Sequence, residues 1–297
     1  MDLTGITFDQ TVPRALVDRG DATTVLITSW VRSGNRLTAG AVWPRLGGYY
    51  RLLDEPAHDP LLVLETFRQA ALLLAHVVQD VPAATMQIMD STHFEAEPDG
   101  LKITDEPTEL VVTVDAERQE PASRSILQSS LRFRLYRDGR LIGTGGGRAV
   151  IPPAGTYLRV RGRDPDTVVP PGPPGAGVPP PAAGRSSGRD VVIAPGDRPG
   201  AYRLRIDARH PNFFDNPTDH TPGMLLVEAM RQAAVAESGG AGFVPFGMAA
   251  RFHRFVEYDH PGEVVVRSTP TGFHTAVRQF DRLTAVADWR LAGGVDA

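Results

Sequence analysis

Glu228, Arg231 and Gln232 stand at i, i+3 and i+4 of a run that is otherwise almost wholly apolar, Met224-Leu225-Leu226-Val227-Glu228-Ala229-Met230-Arg231-Gln232-Ala233-Ala234. On a helix this spacing puts an acid, a guanidinium and an amide on one face. A helix apolar on most sides is expected to be buried, and three polar groups on one buried patch are costly unless they pair or act. Two readings follow. Glu228 can be a general base that takes a proton from an attacking hydroxyl, with Arg231 holding a phosphate or a developing oxyanion. Alternatively, acid and guanidinium form an i, i+3 ion pair that satisfies itself inside the core. A carboxylate in an apolar pocket is expected to have a raised pKa, which suits a base working near neutrality.

The run opens with Asp219-His220-Thr221-Pro222-Gly223. Pro222 fits a first helical turn, and Gly223 lets a ligand or another backbone come close. A helix N-terminus offers free N–H groups and a favourable dipole to an anion, and His220 could donate beside it or, in place of Glu228, take the proton of the attacking hydroxyl. Asp219 could orient that ring or cap the helix. The pattern occurs twice. In Asp59-Pro60-Leu61-Leu62-Val63-Leu64-Glu65-Thr66-Phe67-Arg68-Gln69-Ala70, residues Glu65, Arg68 and Gln69 match Glu228, Arg231 and Gln232 at a constant offset of 163. The chain is therefore read as an internal duplication. Gln69 and Gln232 could bond a substrate carbonyl or tie down the facing acid. The first copy lacks the Pro-Gly entry, and His58, the nearest counterpart of His220, is shifted by one residue. One half could thus be a scaffold for the other.

The elements that must position these residues repeat in the same order. Strands are predicted at 23–31, 36–43, 85–94, 109–115, 126–136 and 140–151, with a loop at Gly47-Gly48-Tyr49-Tyr50 and a tight hairpin at Asp138-Gly139. The first helix runs from about Pro60 to about Gln79. Residues 163–184, rich in Pro and Gly, read as a semi-extended, mobile linker. Further strands are predicted at 190–193, 201–208, 246–258, 263–268, 273–280 and 283–291, and the second helix from about Pro222 to Glu237, stopped by Gly239-Gly240. The domains are accordingly 1–162, a linker 163–184, and 185–297. A strand pair, one long apolar helix, then about four strands implies an antiparallel sheet wrapped around the helix. Twice over, this is an α+β double hotdog.

Composition narrows the function. The 31 Lys and Arg against 35 Asp and Glu leave a net charge of −4 without a basic run, which argues against nucleic acid and anionic membranes as partners. Cysteine is absent, which excludes disulfides, thiolate metal sites and a cysteine nucleophile. The N-terminus lacks a signal-peptide pattern, so a cytoplasmic location is expected. The apolar segment from Leu61 to Val78 contains Glu65, Arg68, Gln69 and His76, which reads as a buried helix rather than a membrane span. His76 is expected to be a satisfied core residue. His93, His253, His260 and His274 lack metal-ligand spacing; neither metal nor cofactor is expected. Gly143-Thr144-Gly145-Gly146-Gly147-Arg148 lacks the Walker spacing and reads as a strand whose glycines permit close backbone approach.

Asp219-His220-x-Pro222-Gly223-Met224-Leu225-Leu226-x-Glu228-Ala229-x-Arg231-Gln232-Ala233 resembles the signature of the A-factor biosynthesis (AfsA-type) family. So do Asp59-Pro60-Leu61-Leu62 with Glu65-Thr66-x-Arg68-Gln69-Ala70, Asp190-Val191-Val192-Ile193-x-Pro195 and Gly143-Thr144-Gly145-x-x-Arg148-Ala149. The likeness spans about residues 20–292. It implies a double-hotdog enzyme of γ-butyrolactone signal biosynthesis. Such an enzyme joins a β-ketoacyl thioester on acyl carrier protein to the hydroxyl of dihydroxyacetone phosphate, and ring closure gives a butenolide phosphate. The two hotdogs would pair within the chain, with further oligomerisation left open. Residues and resemblance together make Glu228, His220, Arg231 and Glu65 the candidate catalytic groups. Arg68, Gln232, Gln69, Gly223 and Asp219 are the candidate substrate contacts. The alternatives are a hotdog dehydratase or thioesterase, or a non-catalytic acyl-binding module. The chain is distantly similar to hotdog dehydratases, whose catalytic histidine would fall at about Phe214, flanked by His210 and His220 without a match.

Overall fold

The computed structural model describes residues 3–45, 48–53, 56–82, 85–118, 127–164, 167–169, 171–240 and 242–291. Gly47 of the anticipated loop and Ile126 of the anticipated strand lie outside these. Two compact units divide the chain: Met1–Arg51 with Pro56–Gly155, and Leu52–Glu55 with Thr156–Ala297.

The first unit holds β1 (Ile27–Ser33), β2 (Arg36–Trp43), α1 (Leu61–Val77), β3 (Ile88–Ala96), β4 (Thr108–Arg118), β5 (Leu127–Arg137) and β6 (Arg140–Ile151). Its strands lie in the order β1-β2-β4-β5-β6-β3, antiparallel throughout. After α2 (Ala154–Arg161), the second unit holds β7 (Ile193–Pro195), β8 (Ala201–Leu204), α3 (Gly223–Glu237), β9 (Gly247–Phe252), β10 (Glu263–Thr269), β11 (Gly272–Gln279) and β12 (Arg282–Arg290). Their order, β7-β8-β10-β11-β12-β9, is that of the first unit strand for strand, again antiparallel. Each half is a hotdog, a sheet wrapped around one helix, and the fold is the α+β double hotdog.

The helices are where the apolar periodicity puts them because their sheets cover them. Leu61, Leu62, Val63, Leu64, Phe67, Ala70, Leu73 and Leu74 of α1 are all buried. Trp43 Nε1 of β2 donates to Thr66 Oγ1 at 2.8 Å, and Phe67 stacks on Phe133 of β5 at 4.7 Å. The glycine run lies within β6, as the strand reading expects. A Cβ on Gly145 would stand 2.5 Å from His93 O and 2.7 Å from the Phe67 ring, so only glycine lets β6 pass under α1. His76 Nδ1 meets Val81 O at 2.7 Å, the satisfied histidine expected. Asp138 and Gly139, at φ 50° and 76°, form the tight β5–β6 turn. Phe280 and Asp281, at φ 52° and 55°, turn β11 into β12 without the glycine that would have announced them.

Several boundaries differ from expectation. Thr23-Thr24 and Asp190 belong to short 3-10 turns, Ala22–Thr24 and Gly188–Asp190, fixed by the Asp21 and Ser187 side chains. The strands expected to reach 208 and 258 end at Leu204 and Phe252. Helix α2 was not anticipated. The end of the Pro-rich stretch is packed rather than free: Val178 N–H bonds Ile193 O, Pro180–Ala183 form a 3-10 turn, and Ala183 is fully buried.

That packed arm exposes a second offset in the duplication. Val12 N–H to Ile27 O, the 3-10 turn Arg14–Val17, and Asp18 in the left-handed region recur 166 residues later as Val178 N–H to Ile193 O, Pro180–Ala183, and Gly184. Next along each arm comes an arginine, Arg19 and Arg185.

Candidate active site at the head of the second helix

The two arm arginines complete the polar patches of the helices. In the second unit Glu228 accepts from Arg185 Nε (2.8 Å), Arg231 Nε and Nη2 (2.8 and 2.7 Å) and Gln232 Nε2 (2.6 Å). Gln232 also accepts from Val192 N–H at 2.9 Å and donates to Asp190 O at 2.8 Å. The first unit has the same network: Glu65 accepts from Arg19, from Arg68 Nε and Nη2 (2.9 and 3.1 Å) and from Gln69 Nε2 (2.8 Å). Gln69 is anchored on Leu26 N–H and Thr24 O. Both glutamines thus bond the facing acid on their own helix and the backbone of a neighbouring segment.

This reverses the expected acidity. Burial alone would raise the pKa of Glu228, but the guanidinium groups of Arg185 and Arg231 overcome it and hold the carboxyl at about 2. Glu65 is held at about 2 in the same way by Arg19 and Arg68. A carboxylate whose lone pairs face two guanidinium groups and an amide is a poor proton acceptor. It ties the Arg185 arm to the helix, while Gln232 holds the residues just before β7.

The heads of the two helices differ. In the first unit Asp59 is buried and its Oδ1 takes Leu61 N–H at 2.9 Å, while Leu62 and Val63 N–H bond Asp59 O and Pro60 O. His58 is buried edge-on to Trp43, with Nε2 3.4 Å from Thr108 Oγ1. Burial, with Arg137 and Arg51 nearby, lowers its pKa to about 4, so the ring stays neutral. His58 is a core residue and not a second His220.

In the second unit the first intrahelical bonds are those of Leu225 and Leu226 N–H to Pro222 O. Pro222 supplies no side-chain cap. Among the described residues, Gly223 N–H and Met224 N–H make no hydrogen bond, and the buried Thr221 hydroxyl has no partner. His220, one-fifth exposed, stands beside this head with Nδ1 2.6 Å from Asp219 Oδ1. Tyr258 OH fixes its backbone by donating to His220 O at 2.5 Å. Asp219 also accepts from Tyr157 OH at 2.9 Å and Arg161 Nε at 2.7 Å. Burial would raise its pKa, but the bonds from His220, Arg161 and Tyr157 push it well below the usual carboxylate range. Among the described residues no hydrogen bond links this dyad to Glu228. His210 is buried against Phe213, with Nε2 3.3 Å from Asp190 Oδ1.

Sequence reasoning grouped Glu228 with Arg231 and Gln232, Glu65 with Arg68 and Gln69, and Asp219 with His220, and all three groups are in contact. It missed Arg19, Arg185, Tyr157 and Arg161. The offset of 166 was a signal for the first two. Tyr157 and Arg161 share a face at i, i+4, but nothing in the sequence names their target.

Fold and geometry define a double hotdog with one open helix head. The A-factor biosynthesis hotdog domain matches residues 5–151 and 170–288, and the chain belongs to that family. It is 36% identical to a 2-oxo-3-(phosphooxy)propyl 3-oxoalkanoate synthase of Streptomyces coelicolor, over 90% of this chain and 86% of that protein. It is also 36% identical to the synthase of that name from Streptomyces griseus, over 78% and 77%. Among solved structures, the 12:0-ACP thioesterase of Umbellularia californica aligns with a TM-score of 0.54 at 10% identity, over 88% of this chain and 99% of that one, a likeness of fold alone. Among the described residues no helix is long and apolar enough to cross a membrane, and no cluster of three His, Asp or Glu side chains could hold a metal.

Proposed function

We propose that this chain transfers a 3-oxoacyl group from a thioester, carried by acyl carrier protein, to the free hydroxyl of dihydroxyacetone phosphate, and that the head of α3 is the reaction centre. The observation that carries the reading is the pairing of two unbonded N–H groups, Gly223 and Met224, with the adjoining Asp219–His220 dyad. Membership of the synthase family supports the substrates. The thioester carbonyl lies at the helix head, where the N–H groups and the dipole stabilise the tetrahedral oxyanion. His220 takes the hydroxyl proton on Nε2 as the oxygen attacks. The C–S bond then breaks, the proton passes to the departing thiolate, and the product is the phosphotriose 3-oxoalkanoate ester. That ester has a methylene between two carbonyls, four bonds from the triose ketone. Deprotonation there, C–C closure and loss of water give the five-membered butenolide phosphate without an oxidant or cofactor. Glu228 and Arg231, bound to each other, stand behind this centre as its anchor, with Gln232. Glu65, Arg68 and Gln69 do the same in the first half.

The test supplies a 3-oxoacyl thioester on acyl carrier protein with and without dihydroxyacetone phosphate and identifies products by mass spectrometry. The expected products are the ester and its dehydrated ring, with a loss of about 10²–10⁴-fold in His220→Ala. Free 3-oxo acid formed equally with and without the triose would instead make the chain a thioesterase.

A further inference from the structure

Helix α2 adds two side chains to the dyad. Tyr157 and Arg161 lie at i, i+4, one face of a helix. Tyr157 OH donates to both Asp219 oxygens, at 2.9 and 3.1 Å. Arg161 donates through Nε to Asp219 Oδ2 (2.7 Å) and through Nη2 to Asp219 O (2.9 Å), and both of its Nη atoms bond Glu257 (2.7 and 3.1 Å). Phe255 is their common floor. The Arg161 guanidinium lies 4.6 Å from its ring centre, Tyr157 meets it edge-on at 6.2 Å and His220 edge-on at 4.7 Å.

A capping role does not explain this carboxylate. Among the described residues Asp219 receives no N–H from α3, and its side chain is bonded by Tyr157, Arg161 and His220. At the offset of 163 the first half has Pro56 and Ala57, so its capped helix head lacks the aspartate and the histidine at the matching positions. An ionised carboxylate can only accept, so its bond to the ring puts a proton on Nδ1 and makes Nε2 the lone-pair nitrogen of the neutral imidazole.

We propose that Tyr157 and Arg161 are positioning residues of the acyl-transfer centre, holding Asp219 in place and ionised so that His220 presents an unprotonated Nε2 to the attacking hydroxyl. This rests on His220 being the base. The charged and titratable groups facing the dyad are Tyr157 and Arg161 from α2 and Glu257 and Tyr258 from the segment after β9; Arg163 lies beyond, on Glu257 and Asp259. Glu257 balances the second face of Arg161, so the guanidinium bridges two acids instead of quenching Asp219.

The experiment is a pH profile of kcat and KM for acyl transfer from a 3-oxoacyl thioester to dihydroxyacetone phosphate. It compares wild type, Tyr157→Phe, Arg161→Lys, Asp219→Asn and His220→Ala, each with its melting temperature. Tyr157→Phe removes only an O–H and is the variant expected to fold normally. Its kcat should fall about tenfold to a hundredfold with KM within about twofold. The acid limb should move to higher pH, because the Asp219 charge is left less shared. Arg161→Lys keeps the charge but loses the two-pronged hold and should also lower kcat. Asp219→Asn should lose up to about 10⁴-fold and move the acid limb the opposite way, to lower pH. A role confined to stability would change melting and leave the limb in place. An inactive His220→Ala with kcat and acid limb unchanged in Tyr157→Phe overturns the positioning role alone. A fully active His220→Ala overturns it together with the assignment of the base.

Discussion

Glu228→Gln separates an anchor from a base. The substitution keeps the shape but removes the anion from between two guanidinium groups whose side chains are only 3% and 5% exposed. The new amide can still accept through its oxygen. Its NH2, however, now faces donors, and both arginines are buried. Removing one partner of a buried ion network costs about 3–5 kcal/mol, chiefly for the charge left unpaired. For a domain of this size that is a melting decrease of roughly 6–20 °C. Glu65→Gln should cost less, because the Arg68 side chain is 23% exposed and water can replace the acid there. Thermal unfolding followed by circular dichroism gives the stability, and kinetics well below the melting transition give the chemistry of the folded enzyme. With the carboxyl held at about 2 and no hydrogen bond to His220 among the described residues, kcat in Glu228→Gln should stay within about threefold of wild type. Loss of a true general base would instead lower kcat by about 10²–10⁴-fold. A Glu228→Gln enzyme that melts like wild type but turns over a hundredfold more slowly would refute the anchor.

Two further outcomes follow from the first half. His58 titrates at about 4 when folded and near 6.5 when unfolded, so between those values the unfolded chain binds the extra proton. The stability it contributes is complete above about pH 6.5 and is lost as pH falls toward 4, roughly 3 kcal/mol in all. Urea midpoints at pH 7.5 and 4.5 should therefore differ less in His58→Gln than in wild type; equal differences would show that the ring is not held neutral. Gly145→Ala would put a methyl 2.5 Å from the His93 carbonyl, a backbone atom that cannot yield cheaply, and should cost about 1–3 kcal/mol by the same melts. Gly172→Ala, with nothing within 4 Å, is the neutral control.

The fold was legible because two signals agree. The apolar helices announced themselves at Leu61–Leu74 and Leu225–Val235, and the constant offset showed that one architecture is used twice. The acidity of Glu228 was not legible, because it depends on Arg185, which reaches it from 43 residues away. Sequence supplies the burial of an acid on an apolar helix, which raises its pKa, but not the cation that arrives on another segment and lowers it. Asp219–His220 was visible as neighbours; Tyr157 and Arg161 were not, since α2 is short, weakly apolar and set in a stretch with no period. Boundaries failed where side chains bond their own backbone. Asp21 and Ser187 accept from Thr23 and Arg189 N–H and turn β-branched or strand-like sequence into 3-10 turns.

Why the two helix heads differ comes down to where proline stands. Aligned by the offset of 163, Asp59-Pro60-Leu61 faces Pro222-Gly223-Met224. In the first half Pro60 is already helical, at ψ −26°, so Asp59 sits at the right distance to take Leu61 N–H, and the position matching Gly223 has no N–H at all. In the second half Pro222 is extended, at ψ 139°, and stands just outside the helix, whose first residue is Gly223. The donors at Gly223 and Met224 then survive, and Asp219 faces α2 instead of the helix. Moving one imino acid by one position thus converts a capped structural head into an open one. The same change removes the helix as a partner for the nearby aspartate and leaves that aspartate to a histidine. On this view the duplication did not need to invent a site. It needed one copy to stop capping its helix, while both copies kept the Arg–Glu–Arg network that holds the rod in its sheet.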